Sequence, residues 1–153
     1  MVMYRSSTMF NNHPANQASA PQQQLTEILD RMGEASAKAQ RLPQVITNTS
    51  KFFTSDNKIF IRAACNQVVG FIKVGKRNLF YRCAGGQIKE IKPLCVLDFY
   101  VHESMQRGGH GRALFEMMLQ TENTSAEKLG YDRPSEKLIQ FLAKHYGLKR
   151  FVP

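Results

Sequence analysis

The residues with the clearest capacity for chemistry are Gln106-Arg107-Gly108-Gly109-His110-Gly111-Arg112. Ahead of them lies a β-branched and aromatic run, Leu94 to Val101, and behind them Leu114, Phe115, Met118 and Leu119 share one face at helical spacing. The run reads as a strand buried on both faces, and the spacing predicts a helix whose amino end begins within Gly109 to Arg112. Free N–H groups at a helix start carry partial positive charge, and glycines let an anion approach the backbone closely. The loop is therefore a candidate diphosphate cradle, with Arg107 and Arg112 able to add full charges. It ends Gly-Arg-Ala where a P-loop needs Gly-Lys-Ser or Gly-Lys-Thr, and Leu114 stands where the dinucleotide fingerprint needs a third glycine or alanine.

A second group of residues could move protons or meet a substrate. Asp98 is the single charge in Leu94 to Val101, and a lone carboxylate in an apolar strand is costly to bury unless it is paired or functional. Cys95 shares that strand, where a cysteine is commonly inert filler. Asp132 stands ahead of a helix start and could be a plain cap. Gln40, at the end of an earlier helix, reads on pattern alone as a solvated residue or a cap partner. Lys73, Lys76 and Arg77 cluster along one hairpin, either as a solvated edge that discourages strand pairing or as a substrate-facing patch. His102, His110 and His145 accompany no arranged nucleophile, so no catalytic triad is expected. Cys65, Cys83 and Cys95 form no Cys-x-x-Cys pair and have no histidine at metal spacing, so no metal is expected and a reducing compartment is the simplest reading.

The pattern Arg-x-Gly-x-Gly-Arg behind a buried strand resembles the acetyl-coenzyme A loop of the GNAT N-acetyltransferases. Separated blocks carry a closer likeness: Gly33 to Gln40, Gly70 to Gly75, Pro93 to Glu103, Asp132 to Ser135 and Lys144-His145-Tyr146 resemble the alpha-tubulin N-acetyltransferase family, over roughly residues 25–153. The resemblance implies an α/β (α+β) fold, with a GNAT-like mixed, mostly antiparallel central sheet flanked by helices. It implies transfer of an acetyl group from acetyl-coenzyme A to a lysine of α-tubulin in microtubules, directly within a ternary complex. Carried over residue by residue, it implies Gln40, Cys95 and Asp132 as catalytic groups. It places Phe99, Tyr100, Val101, Gln106, Arg107, Gly108, Gly109, His110, Gly111, Arg112, Ser135, Lys137 and Lys144 along the coenzyme. It turns Asp98, Lys73, Arg77 and Arg133 toward the substrate, with Arg77 standing where the family has a second lysine.

These groups need a scaffold to hold them. Leu25, Ile28, Leu29, Met32 and Ala35 mark one face of a helix that runs to about Gln40 and ends at Leu42-Pro43. Thr47 to Asn57 reads as a loop. Lys58 to Arg62 and Val68 to Val74 read as strands around a Cys65-Asn66-Gln67 turn, and further turns at 75–78 and 84–87 make an antiparallel meander that returns to the central strand. Glu122 to Lys128 reads as a polar loop and Leu129 to Asp132 as a short strand. Arg133-Pro134-Ser135 opens a last helix, with Leu138, Phe141, Leu142 and Tyr146 on one face and Gly147 at its close. Residues 1–24 are expected to be a disordered tail, leaving 25–153 as the domain, without the resembling family's first strand and without its final strand.

At 153 residues and 17.4 kDa, 42% of them hydrophobic, the chain suits one domain with its own core. A formal net charge of +9 points to an acidic partner, and tubulin fits that sign. Nucleic acid is not expected, since no reader motif such as a zinc finger stands in the sequence. No apolar run approaches the ~18 residues of a membrane span, and Met1 to Phe10 lacks the apolar core of a signal peptide. A soluble cytoplasmic monomer working on microtubules is the expectation. The absent terminal strands motivate a second reading, a catalytically impaired relative that binds tubulin through its basic face.

Overall fold

The structure is a computed structural model that describes residues 2–5, 20–64 and 66–150. In chain order its elements are β1 (Val2–Arg5), α1 (Ala20–Ala39), α2 (Thr49–Phe53), β2 (Lys58–Ala64), β3 (Gln67–Lys76), β4 (Leu79–Arg82), β5 (Ile88–Ile91), β6 (Leu94–Val101), α3 (His110–Glu122), β7 (Gly130–Tyr131) and α4 (Glu136–Tyr146). A five-stranded sheet runs in the order β1-β2-β3-β6-β7, antiparallel throughout except for the parallel β6–β7 pair. Helices cover both of its faces, so the expected mixed, mostly antiparallel architecture is present.

Burial on both faces explains why β2, β3 and β6 are nearly continuous apolar runs. One face packs Phe60, Ile72, Val74 and Val96 against Leu114, Phe115 and Met118 of α3 and Leu142 of α4. The other packs Ile59, Ile61, Phe71 and Tyr100 against Leu25 and Leu29 of α1 and Phe52 of α2.

Several expectations are corrected. Val2–Arg5 forms the first strand, in register with Lys58 to Ile61, and α1 begins at Ala20, so the tail reading of residues 1–24 fails at both places. Pro21 falls in α1's first turn, where its missing N–H is harmless, and the glutamines after it are good helix formers. The stretch from Thr47 to Asn57 contains α2, whose Asn48 side chain caps Lys51 N–H and whose Phe52 is buried. The meander is also corrected. β3 pairs directly with β6, while β4 and β5 form a separate two-stranded sheet. That hairpin leaves Phe80 and Ile88 each 65% exposed and has too little apolar surface to take a central place between two strands buried on both sides. Cys65, in the expected turn, lies outside the described residues.

The central ladder carries one irregularity. Lys73 pairs with Asp98 and Val74 with Val96, which leaves Leu97 as an extra residue on β6. A bulge of this kind bends the strand and increases its twist locally.

Beside the bulge, the sheet buries two charged side chains, Asp98 and Lys73. Asp98 Oδ1 accepts from Ser36 Oγ at 2.8 Å and Gln40 Nε2 at 3.0 Å, and Oδ2 accepts from Thr47 Oγ1 at 2.6 Å. Gln40 Nε2 also reaches Ser36 Oγ at 2.8 Å. Lys73 Nζ donates to the Ile46 carbonyl at 2.7 Å. Burial pulls the Lys73 ammonium down to about 8, opposed by attraction to Asp98 and assisted by Arg77 and Lys51. Gly33 of α1 lies so close to the Thr47 carbonyl that no Cβ fits between them.

Gly33→Ala therefore forces α1 away from Thr47, and urea denaturation should show a loss of about 1–3 kcal/mol, the usual range for overpacking. Lys73 sheds its proton at about 8 when folded and near the ordinary 10.5 when unfolded, so the unfolded chain binds more protons between those values. Stability accordingly rises with pH across that window, by up to roughly 3 kcal/mol from this group. Urea titrations at successive pH values should show that rise flattened in Lys73→Met.

Candidate active site

The cradle forms where β6 ends. His102 N–H donates to the Val69 carbonyl at 2.7 Å, a short 3-10 turn covers Glu103–Met105, and Gln106 Nε2 folds back to the Val101 carbonyl at 3.0 Å. Gly109, at φ 75°, then sits at the N-cap of α3 with no side-chain capping bond. That left-handed conformation suits glycine, and the uncapped first turn keeps its N–H groups available to an anion. Arg107 on this loop and Arg112 in the first turn of α3 are exposed. A Cβ on Gly111 would touch Phe99, Val101 and Phe141 at 3.4–3.7 Å, so the start of α3 rests directly on the aromatic cluster beneath it.

Arg62 joins this region without having been expected. Its Nε donates to His110 Nδ1 at 2.9 Å, which leaves Nε2 as the imidazole's remaining donor position. The pairing spans β2 and the α3 amino end, and the alternation of residues 58–62 carries no signal for it.

The remaining residues expected along the coenzyme divide. Phe99 packs against Phe115 and Phe141 on the α3 and α4 side. Tyr100 faces α1 instead, packs on Phe71 and donates to Glu103 Oε2 at 3.0 Å, with burial and that bond pushing its phenol up to about 12. Ser135 accepts from Leu138 N–H as the N-cap of α4. Lys137 is exposed and near enough to Glu103 to help hold its carboxyl low, after the stronger effect of that residue's own backbone N–H. Lys144 is exposed beside His145, whose pKa is lowered by burial, Arg112 and Lys144, so cations from the start of α3 and the end of α4 meet there.

Next to the cradle the sheet opens. β6 and β7 share only the pairs Cys95–Gly130 and Val96–Tyr131, followed by Asp132 N–H to the Val96 carbonyl at 3.3 Å. Beyond this, β6 has no further neighbour on that side among the described residues. The register that bonds His102 to Val69 turns the peptide groups of Phe99 and Val101 toward this open edge. The resulting cleft is lined by Gln40, Asp98, Phe99, Asp132, Arg133 and Ser135 among others. Asp132 and Arg133 are exposed there, and Arg133 holds a left-handed φ of 45°.

The expected catalytic residues are thus split between the cleft and the wall behind it. Gln40 and Asp132 line the cleft, while Cys95 is fully buried behind them with its Sγ 3.5 Å from the Pro93 carbonyl. Burial pushes the Cys95 thiol up, and the nearby Asp132 charge pushes the same way, against a backbone N–H of Arg77. Among the residues expected to face a substrate, Arg77 is exposed at the end of β3, but Lys73 is placed in the interior rather than on the surface. Its aliphatic stem lies within the apolar β3 run, so the expectation of an exposed patch is corrected at that position. A larger cavity of about 520 Å³, bounded by Glu116, Leu119 and Tyr146, lies toward the other end of α3 and touches none of these groups. Among the described residues no cluster of histidine, cysteine and carboxylate could hold a metal, and no helix is long and apolar enough to cross a membrane.

A family profile described as "GNAT acetyltransferase, Mec-17" matches residues 2–153. The chain is 58% identical over 135 residues to an alpha-tubulin N-acetyltransferase of Tetrahymena thermophila, covering 88% of this chain and 34% of that protein. It is 46% identical over 134 residues to the Aedes aegypti protein of the same name, covering 85% of this chain and 49% of that one. The chain therefore spans between about a third and a half of these curated relatives. Its fold is similar to the xEco2 acetyltransferase domain bound to a K105-CoA conjugate, with a TM-score of 0.60 at 11% identity, over 98% of this chain and 88% of that one. With a buried strand that runs into an uncapped glycine loop and an open cleft at its side, the chain belongs to the GNAT acetyltransferase family of Mec-17.

Proposed function

We propose that this chain transfers an acetyl group from acetyl-coenzyme A to the side-chain amine of a lysine in α-tubulin within microtubules. The observation that carries the reading is the junction of an uncapped glycine loop with an open strand edge: one suits a diphosphate, the other a thioester carbonyl. The names of the relatives supply the substrate. A microtubule-associated location goes with it, and the excess of basic residues suits an acidic protein surface.

Acetyl-coenzyme A supplies the activated acyl group, and the chain's own residues do the rest. The first-turn N–H groups of α3, with Arg107 and Arg112, hold the negative diphosphate. The peptide N–H groups of Phe99 and Val101 meet the acyl oxygen as it gains charge. The incoming lysine must lose a proton first, because its free pKa is ~10.4. Asp132, exposed at the cleft, accepts that proton directly or through water. Cys95 stays a thiol, since burial and the Asp132 charge raise its pKa, and its Sγ donates to the Pro93 carbonyl beneath the cleft; the second proton that the amine loses as the amide forms neutralises the departing coenzyme sulfur. Gln40 and Asp98 hold the opposite wall in place.

The test is incubation of the purified chain with microtubules and labelled acetyl-coenzyme A. Label should appear in α-tubulin, and Asp132→Asn should lower kcat by about 100-fold or more, the usual contribution of a positioned base. Arg107→Ala should raise the KM for acetyl-coenzyme A with a smaller effect on kcat. Binding to microtubules with no label in the wild type would overturn the reading in favour of a non-catalytic tubulin binder.

A further inference from the structure

We propose that Arg41, with Arg133, makes this site selective for acceptor lysines flanked by acidic side chains. The inference rests on the acetyl transfer proposed above and adds a specificity determinant to it.

The backbone at both arginines is unusual. α1 ends with Arg41 N–H on the Lys38 carbonyl at 3.2 Å and Leu42 N–H on the Ala37 carbonyl at 2.9 Å, the hydrogen-bond pattern of a Schellman cap. Arg41 occupies the left-handed position of that cap at φ 55°, where glycine is favoured because it has no Cβ. Arg133 is likewise left-handed, at φ 45°. Both side chains are exposed, and neither makes a hydrogen bond or ion pair among the described residues. Packing therefore accounts for neither arginine.

Helix electrostatics does not account for the pair either. A cation suits the carboxyl end of α1, but Lys38 already stands there, and Arg133 precedes the amino end of α4, where a cation is unfavourable. What the two arginines share is place. Arg41 adjoins Gln40 and Arg133 adjoins Asp132, residues that line the same cleft. Backbone strain of this kind concentrates at functional sites.

The charges are mixed. Asp98, Asp132 and Arg133 line the cleft, and Arg41 follows Gln40, which lines it too. A cationic lysine suits the two carboxylates but is repelled on approach by the two arginines, unless its own neighbours are negative. Discrimination of this type uses the repulsive element as much as the attractive one.

The test compares two peptides, one with its lysine between Asp and Glu and one with the same lysine between Asn and Gln. The wild type should prefer the acidic peptide by about tenfold in kcat/KM at low salt, the scale expected of two exposed ion pairs and their repulsive counterparts. Arg41→Gly should cut that preference about threefold while raising Tm by roughly 2–4 °C, since glycine relieves the left-handed strain. Arg41→Lys should keep the preference, and Arg41→Gly with Arg133→Gly should abolish it. A merely structural arginine would move Tm without moving the ratio. An unchanged ratio in Arg41→Gly, or an equal loss in Arg41→Lys, overturns the inference while leaving acetyl transfer intact. A wild type that acetylates neither peptide nor microtubules removes the transfer reading and this inference together.

Discussion

The structure depends on how one buried carboxylate is satisfied. Asp98 stands in the middle of the central strand, 4% exposed, and an ionised carboxylate in such a place is tolerable only with a full set of donors. Those donors come from Ser36 and Gln40 of α1 and its cap, and from Thr47 in the segment after that helix. One residue of β6 thereby fixes the roll of α1, the path of the chain after Pro43 and the side chain of Gln40. The glycine at position 33 lets that segment approach α1 closely enough for Thr47 to reach. A core of apolar groups alone would leave α1 free to settle by shape, whereas directional bonds to a charged acceptor set its position more narrowly.

The second constraint is the end of the β6–β7 pairing. An extra residue at Leu97 and a β7 of only Gly130–Tyr131 make the two strands part within a few residues. Parting exposes main-chain groups of β6 that a continuous sheet would consume, and it does so beside the loop whose glycines bring α3 to rest on Phe99. The glycine loop and the cleft are therefore two consequences of one strand: its carboxyl end feeds the loop, and its bulged middle lets the sheet open. Aromatic packing among Phe99, Phe115 and Phe141 then keeps the start of α3 and the face of α4 at fixed distance from that strand.

Most of this framework was legible in the sequence because it rests on strong local signals. An apolar run with one charge, glycines with arginines, and helical spacing behind them have few other solutions, and β6, the loop and α3 lie where those signals put them. Signals that depend on distant partners were not legible. Val2–Arg5 is too short to declare itself and becomes a strand only because β2 has an open edge for it. Lys73 sits on a strand whose alternation cannot say whether a long cationic side chain turns to water or reaches a carbonyl, and the Ile46 carbonyl decides it. The bond from Arg62 to His110 joins residues far apart in the chain, and neither has a local reason to find the other. The site residues that share a cleft were recoverable only through resemblance to a family, since Gln40, Asp98 and Asp132 come from three elements that the sequence alone leaves unassembled.

The way Asp98 is neutralised bears on what the cleft can accept. Among the described residues no lysine or arginine nitrogen comes within ion-pair distance of it, and hydroxyl and amide donors hold it instead. Dipoles of this kind stabilise a negative charge without cancelling it. Lys73, on the paired position of β3, opposes that charge from a distance while its own proton is loosely held. The field at the cleft floor therefore stays more negative than a direct Lys–Asp pair would leave it, and Asp132 adds to it. A floor of that sign gives a strongly basic protein a local attraction for a cationic group, which its overall charge alone would repel.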